Sequence, residues 1–157
     1  MVLSCVYCSD EFRPMKYKNC KSNFEIISVE AIGCGDGDRC VFYHNSEPRI
    51  RIGFRPDRNV DGLRTSVWAN LGDANGALAK FHLENDHACE SSNITCPVEA
   101  GKTYYYSQFV RILNEYPTVD VQVNWLVTNE ADSVATADGV PVKRDICIKF
   151  LGTVRKE

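Results

Sequence analysis

The sequence predicts an all-β protein, an immunoglobulin-like sandwich of two antiparallel sheets, and three observations lead there. Apolar and polar residues alternate with a period of two along most of the chain. Turn-forming clusters of Gly, Pro, Asn and Asp separate these runs. Six of the eight cysteines, Cys20, Cys34, Cys40, Cys89, Cys96 and Cys147, are spaced as a disulfide framework, with no CxxC pair of the kind zinc or thioredoxin chemistry uses among these six.

The elements follow in chain order. Residues 24–32 and 40–44 read as weaker strands, parted by Gly35-Asp36-Gly37. Residues 48–55 alternate strictly: Ile50, Ile52 and Phe54 share one face, and Arg49, Arg51 and Arg55 the other. Residues 65–71 place Val67, Ala69 and Leu71 opposite Ser66, Trp68 and Asn70, and Asn75-Gly76 reads as the hairpin tip leading to a strand over 76–81. A weaker strand covers 103–113. Residues 119–125 give the clearest signal, with Val119, Val121, Val123 and Trp125 on one side. Residues 129–138, ending at Asp138-Gly139, have slight helical character and are expected as a loop. In a final strand over 146–150, Ile146, Ile148 and Phe150 face inward, with Cys147 and Lys149 outward. Seven or eight such strands, each with one apolar face, pack as two sheets. Trp125 follows the Cys89/Cys96 pair, so the Cys–Trp–Cys order of antibody domains is missing.

Length and charge narrow the function classes. A chain of 157 residues suits one domain that buries roughly two thirds of its unfolded surface. With 18 basic and 21 acidic side chains, a net charge of −3, and no basic stripe, no nucleic-acid partner is expected. The interspersed charges argue against disorder. No apolar run approaches the roughly 18 residues of a membrane span. Residues 1–8 are apolar and are expected to be the remnant of a signal peptide, cleaved near Cys8-Ser9, with residues 9–157 as the mature domain. The alternative is that Cys5 and Cys8 are genuine thiols, paired with each other or with a second chain.

A cysteine framework places the protein in an oxidising compartment: secreted, extracellular or in the endolysosomal lumen. Six cysteines allow many connectivities, and sequence alone does not choose among them. Short loops close cheaply, which favours Cys34 with Cys40 and Cys89 with Cys96, leaving Cys20 and Cys147. A bridge across that last span would add roughly 4 to 5 kcal/mol in the chain-entropy model.

Motifs for chemistry are missing. There is no GxSxG, P-loop, GxGxxG or HExxH pattern, so neither an enzymatic function nor a cofactor is expected. His44, His82 and His87 share no zinc-binding spacing and read as surface histidines. Asp36 and Asp38 are too few for calcium. Arg49, Arg51 and Arg55 read as a solvated strand face rather than a basic patch for anionic headgroups. Asn93-Ile94-Thr95 is a sequon in a polar loop, a candidate for N-glycosylation at Asn93.

The order of these residues resembles the ML lipid-recognition family, and within it the Niemann–Pick type C2-like proteins, as an arthropod member of it. The resemblance runs from Lys16-Tyr17-Lys18-Asn19-Cys20 through Cys34 and Cys40 to Cys89 and Cys96-Pro97-Val98. It continues through Gly101-Lys102-Thr103-Tyr104-Tyr105-Tyr106, Glu115-Tyr116-Pro117 and Val123-Asn124-Trp125-Leu126 to Cys147. It implies disulfides Cys20–Cys147, Cys34–Cys40 and Cys89–Cys96, and an apolar cavity between splayed sheets. The implied function is secreted binding and transport of a sterol, fatty acid or semiochemical. The implied partners are that ligand and a membrane or receptor for its exchange, with the protein itself a monomer. Aligned on the motifs, Phe81, Ile112, Tyr116 and Pro117 would form the cavity mouth, and Phe54, Val67, Trp125, Ile148 and Phe150 its lining. Small inward residues, Ala69, Ala77 and Ala79 beside Val67, would leave room. The stretch from Gly76 to Leu83 departs from the proline- and valine-rich segment of the mammalian sterol carriers, so sterol specificity does not carry over. The alternative function is an extracellular innate-immune lipid sensor or co-receptor acting through its surface.

Overall fold

The computed structural model describes residues 11–34, 38–70, 78–92, 94–132 and 144–156. The expectations for residues 1–8, Asp36, the Asn75-Gly76 tip, Ala77, Asn93 and Asp138-Gly139 lie outside them.

Two sheets face each other. The first has the order β1 (Arg13–Pro14), β3 (Glu25–Ile32), β5 (Arg49–Arg55), β8 (Tyr104–Phe109). The second has the order β2 (Lys18–Asn19), β10 (Ile146–Arg155), β9 (Asp120–Asn129), β6 (Leu63–Asn70), β7 (Leu78–Lys80). β4 (Cys40–Tyr43) also joins the second sheet, beside the far half of β10. A four-residue helix, α1 (Ala88–Ser91), sits between β7 and β8. The alternation chooses the faces. Ile50, Ile52 and Phe54 of β5 are all buried in the core, while Arg51 and Arg55 pair outside it with Glu30 and Glu25, each at 3.0 Å.

One pairing corrects the antiparallel expectation. β4 runs parallel to β10, with Cys40 opposite Gly152 and Tyr43 opposite Arg155. It fits because Gly152 has no side chain: a Cβ there would meet the Phe42 ring at 2.6 Å. β10 also extends past Phe150, where the sequence predicted its end, to Arg155.

The disulfides are Cys20–Cys147, Cys34–Cys40 and Cys89–Cys96, with Cα separations of 5.1, 4.3 and 5.7 Å. Cys147 lies on the outer face of β10, as the alternation predicts, yet it is fully buried. It packs with Trp68, Leu126 and Cys20 in a small second cluster outside the sheet.

Candidate functional site: an apolar cleft between the sheets

Strand register turns the second sheet into a set of rungs. Thr65, Val127 and Ile146 make one rung; Val67, Trp125 and Ile148 the next; Ala69, Val123 and Phe150 the third. Beyond the third rung Val121 lies opposite Gly152. The interior therefore runs from a floor at Thr65 to an open end past Ala69.

The floor is polar and closed. The Tyr106 hydroxyl, wholly buried, lies 2.7 Å from the Thr65 hydroxyl and accepts from the Trp125 indole N–H at 3.3 Å. It donates to the Gln108 carbonyl oxygen, and the Gln108 amide donates to the Asn85 carbonyl at 2.8 Å. Tyr106 and Gln108 belong to the first sheet, Thr65 and Trp125 to the second, so this network ties the sheets together. Burial pushes the Tyr106 phenol well above its ordinary pKa, so it remains a neutral donor and acceptor. On the same side of the molecule Phe24, Phe54 and Tyr104 stack at centroid distances of 5.7 Å.

The open end is apolar. A cleft of about 50 Å³ is lined by Ala69, Ala79, Lys80, Phe81, Tyr116, Pro117, Val119, Val121 and Val154. Phe81 and Tyr116 meet edge to face at 5.3 Å and 85°, and Phe81 leans in turn on Phe42 at 6.3 Å. Three hydrogen bonds hold the tyrosine, one of them from its backbone N–H to the Leu113 carbonyl at 3.1 Å. Its hydroxyl accepts the His82 backbone N–H at 2.9 Å, and its carbonyl lies 2.9 Å from Nε2 of buried His44. A carbonyl only accepts, so Nε2 carries the proton.

The structure thus separates the residues named from sequence. It brings Phe81, Tyr116 and Pro117 together at the cleft. Val67, Trp125 and Ile148 form a single rung behind it, Phe150 sits one rung closer, and Ile112 is buried in the same core. Phe54 lies away from the cleft, within the Phe24–Tyr104 stack. The described cleft is well short of the ~300 Å³ and more of a small-molecule pocket. Four lining residues stand outside the cavity set expected from sequence: Val119 and Val121, which read only as the inner face of a strand, and Val154 and Lys80. Val154 follows Gly152, where the apolar alternation skips a step, and Lys80 looks like an ordinary solvated lysine. The sequence presents His44 as a surface histidine; it is 7 % exposed because β4 carries it under the 113–117 turn.

Comparison with known proteins agrees with this geometry. The family model described as the ML domain matches residues 14–143. The Caenorhabditis elegans protein heh-1 is 34% identical over 152 residues, covering 93% of this chain and 90% of its own. The NPC intracellular cholesterol transporter 2 of Bos taurus is 24% identical over 130 residues, covering 83% of this chain and 85% of its own. Among solved structures, a Niemann-Pick type C2 protein from the Japanese carpenter ant superposes with a TM-score of 0.73 at 18% identity. That match covers 90% of this chain and all of the ant protein.

Proposed function

This chain belongs to the ML domain family, and from that premise we propose that it is a carrier of a small apolar ligand taken up between its two sheets. The observation that carries this reading is the apolar cleft at Phe81, Tyr116 and Pro117, opposite a floor where hydrogen bonds hold the sheets together. The mechanism is burial and release without covalent chemistry. A ligand losing about 300 to 400 Å² of apolar surface to the interior gains about 8 to 10 kcal/mol at ~25 cal/mol/Å², before ordering and association costs. The bovine relative's name, a cholesterol transporter, supports a lipid as cargo. The three disulfides support a secreted or endolysosomal setting.

Titration of the folded, purified protein with a fluorescent sterol and a fluorescent fatty acid tests the reading. Saturable uptake is expected, and Ala79→Trp, which plugs the cleft from the edge strand, and Tyr116→Asp should each abolish it. Uptake that survives both changes, with circular dichroism unchanged, would overturn the assignment of the mouth.

A second reading rests on a different face. Tyr17, Ile27 and Tyr105 are 37, 41 and 52% exposed and border one groove on the outside of the four-stranded sheet. A surface-acting lipid sensor would use such a face. Ile27→Ser with Tyr105→Ser would then abolish partner binding while leaving lipid uptake intact.

A further inference from the structure

The outer face of the four-stranded sheet carries a groove far larger than the cleft between the sheets. Its two halves, of about 590 and 440 Å³, meet where both are lined by Arg51 and Tyr105. Each half alone lies within the range of small-ligand sites, about 300 to 1,000 Å³. Strand register builds the floor. Glu30, Arg51 and Ser107 make one rung across β3, β5 and β8; Ser28, Gly53 and Tyr105 make another. Gly53 has no side chain, and the Tyr105 ring lies over its backbone: a Cβ there would meet two ring carbons at 3.0 and 3.3 Å. Laid across the sheet in this way, Tyr105 still shows 52% of its surface to solvent, and Tyr17 lines the same half of the groove.

The groove is also electrically neutral. Among the described residues Glu30 and Arg51 are the only charged side chains lining it, and they pair with each other. Nε and Nη2 of Arg51 donate to one Glu30 oxygen at 3.1 and 3.0 Å. The Phe12 ring, its centroid 4.2 Å from the guanidinium carbon, holds Arg51 in place. The second Glu30 oxygen and Nη1 of Arg51 make no hydrogen bond among the described residues. The neighbouring arginines are engaged elsewhere: Arg55 pairs with Glu25 at 3.0 Å, and Arg49 lies over Phe109.

These features sort the occupants. An anion finds Arg51 already taken by Glu30, and a cation finds Glu30 taken by Arg51. A hydrocarbon chain would cover the free oxygen and nitrogen without returning a hydrogen bond. A sugar meets each demand. The C–H face of its ring rests on a tyrosine ring. A vicinal diol gives one proton to the free Glu30 oxygen and accepts one from Arg51, both charge-assisted. The hydroxyls of Thr95 and Ser107 line the second half, where the next sugar of a chain would lie.

We propose that this outer face binds a neutral oligosaccharide, with sugar rings laid on Tyr105 and Tyr17 and a diol clasped by Glu30 and Arg51. The proposal goes beyond the carrier reading and stands without it.

The experiment titrates the folded, disulfide-bonded protein with chitohexaose, mannohexaose and laminarihexaose, and with a heparin hexasaccharide as acidic control, by calorimetry and tyrosine fluorescence. Saturable binding of at least one neutral sugar is expected, tighter than that of the heparin fragment. Tyr105→Ala should weaken it about tenfold, while Tyr105→Phe, which keeps the ring, should bind nearly as well as the parent. Glu30→Gln should also weaken it about tenfold and, by releasing Arg51, raise affinity for the heparin fragment. A merely damaged fold would not produce that gain. No binding of any neutral sugar, equal or tighter binding of the heparin fragment by the parent protein, or neutral binding that survives both Tyr105→Ala and Glu30→Gln would each overturn the proposal. A proline-rich peptide that bound in place of every sugar would overturn it as well. Uptake of a fluorescent lipid by the same variants should be unchanged, and its failure in the parent would count against the carrier reading alone.

Discussion

Asp145 stands just before β10 with 1% of its surface exposed, and each of its oxygens is used. One accepts from Arg58 and, at 3.4 Å, from the Asn23 amide; the other accepts the Asn129 backbone N–H at 2.9 Å. Replacing it with Ala leaves the Asn129 backbone N–H without its acceptor and the Arg58 guanidinium with Asp57 alone, at 3.0 Å. Breaking a fully buried pair costs about 3 to 5 kcal/mol. Because Arg58 is 39% exposed, water recovers part of that, and a loss of about 2 to 3 kcal/mol in urea unfolding is expected. His87 offers a contrast at the surface. Its hydrogen bond to Glu130, at 2.6 Å, raises its pKa above the ordinary 6.5, and Asp86 adds to the effect. A raised folded-state pKa contributes stability that is complete below 6.5 and disappears as pH rises through the folded value. The stability difference between the protein and its His87→Gln variant should therefore shrink as pH rises from 6.5, and an NMR titration should place the imidazole above that value. Neither site was legible in sequence. An aspartate before a strand and a histidine in a polar loop look the same whether paired or free, and only the fold brings Arg58 and Glu130 to them.

Elements were more legible than residues. The alternation of Val119, Val121, Val123 and Trp125 fixes both the existence and the inward face of β9, because a one-residue slip would put all four in water. Where alternation is interrupted, the reading fails. Gly152 breaks the inward series of β10, so the alternation alone ends the strand at Phe150 and leaves Val154 out of the cleft. The direction of β4 was equally hidden, since four residues with two buried positions do not specify parallel or antiparallel pairing. The two features are one. The bare backbone at Gly152 is where the Phe42 ring lies. Gly152→Ala should lower stability by about 1 to 3 kcal/mol through overpacking. Phe42→Leu in the same chain should recover part of the loss, so the double variant is less destabilised than the sum of the two. Calorimetric melting of the four proteins of this cycle checks the coupling. Strictly additive losses would mean that ring and glycine do not compete for space. The floor network shows the same limit on legibility. Tyr104, Tyr105 and Tyr106 follow one another in sequence, and their alternation says that one parity is buried without showing that Tyr106 finds Thr65, Trp125 and Gln108.

At the scale of the molecule, the cysteine pattern was the most legible signal and the interior the least. The pairings expected from the cheapness of short loops and from the family resemblance are those observed. Cys20 and Cys147 are 127 residues apart in sequence, so replacing both with Ala should cost roughly 4 to 5 kcal/mol, about twice the cost of opening the six-residue span of Cys34–Cys40. Urea unfolding of the two double variants compares them directly. The cavity size, by contrast, follows from how the two sheets close, which no local pattern encodes.

The position of β10 has a further consequence, for biogenesis. It is flanked by β9 on one side and by β2 and β4, end to end, on the other, and it contributes the second cysteine of the longest loop. Every one of those partners is synthesised before it. A chain synthesised only as far as β9 therefore has the four-stranded sheet able to assemble, but a gap runs through the other sheet and Cys20 lacks its partner. Until the final strand arrives, β2, β4 and β9 present unpaired edges that neighbouring chains can capture. A chain truncated within β10 should therefore aggregate rather than fold as a smaller domain.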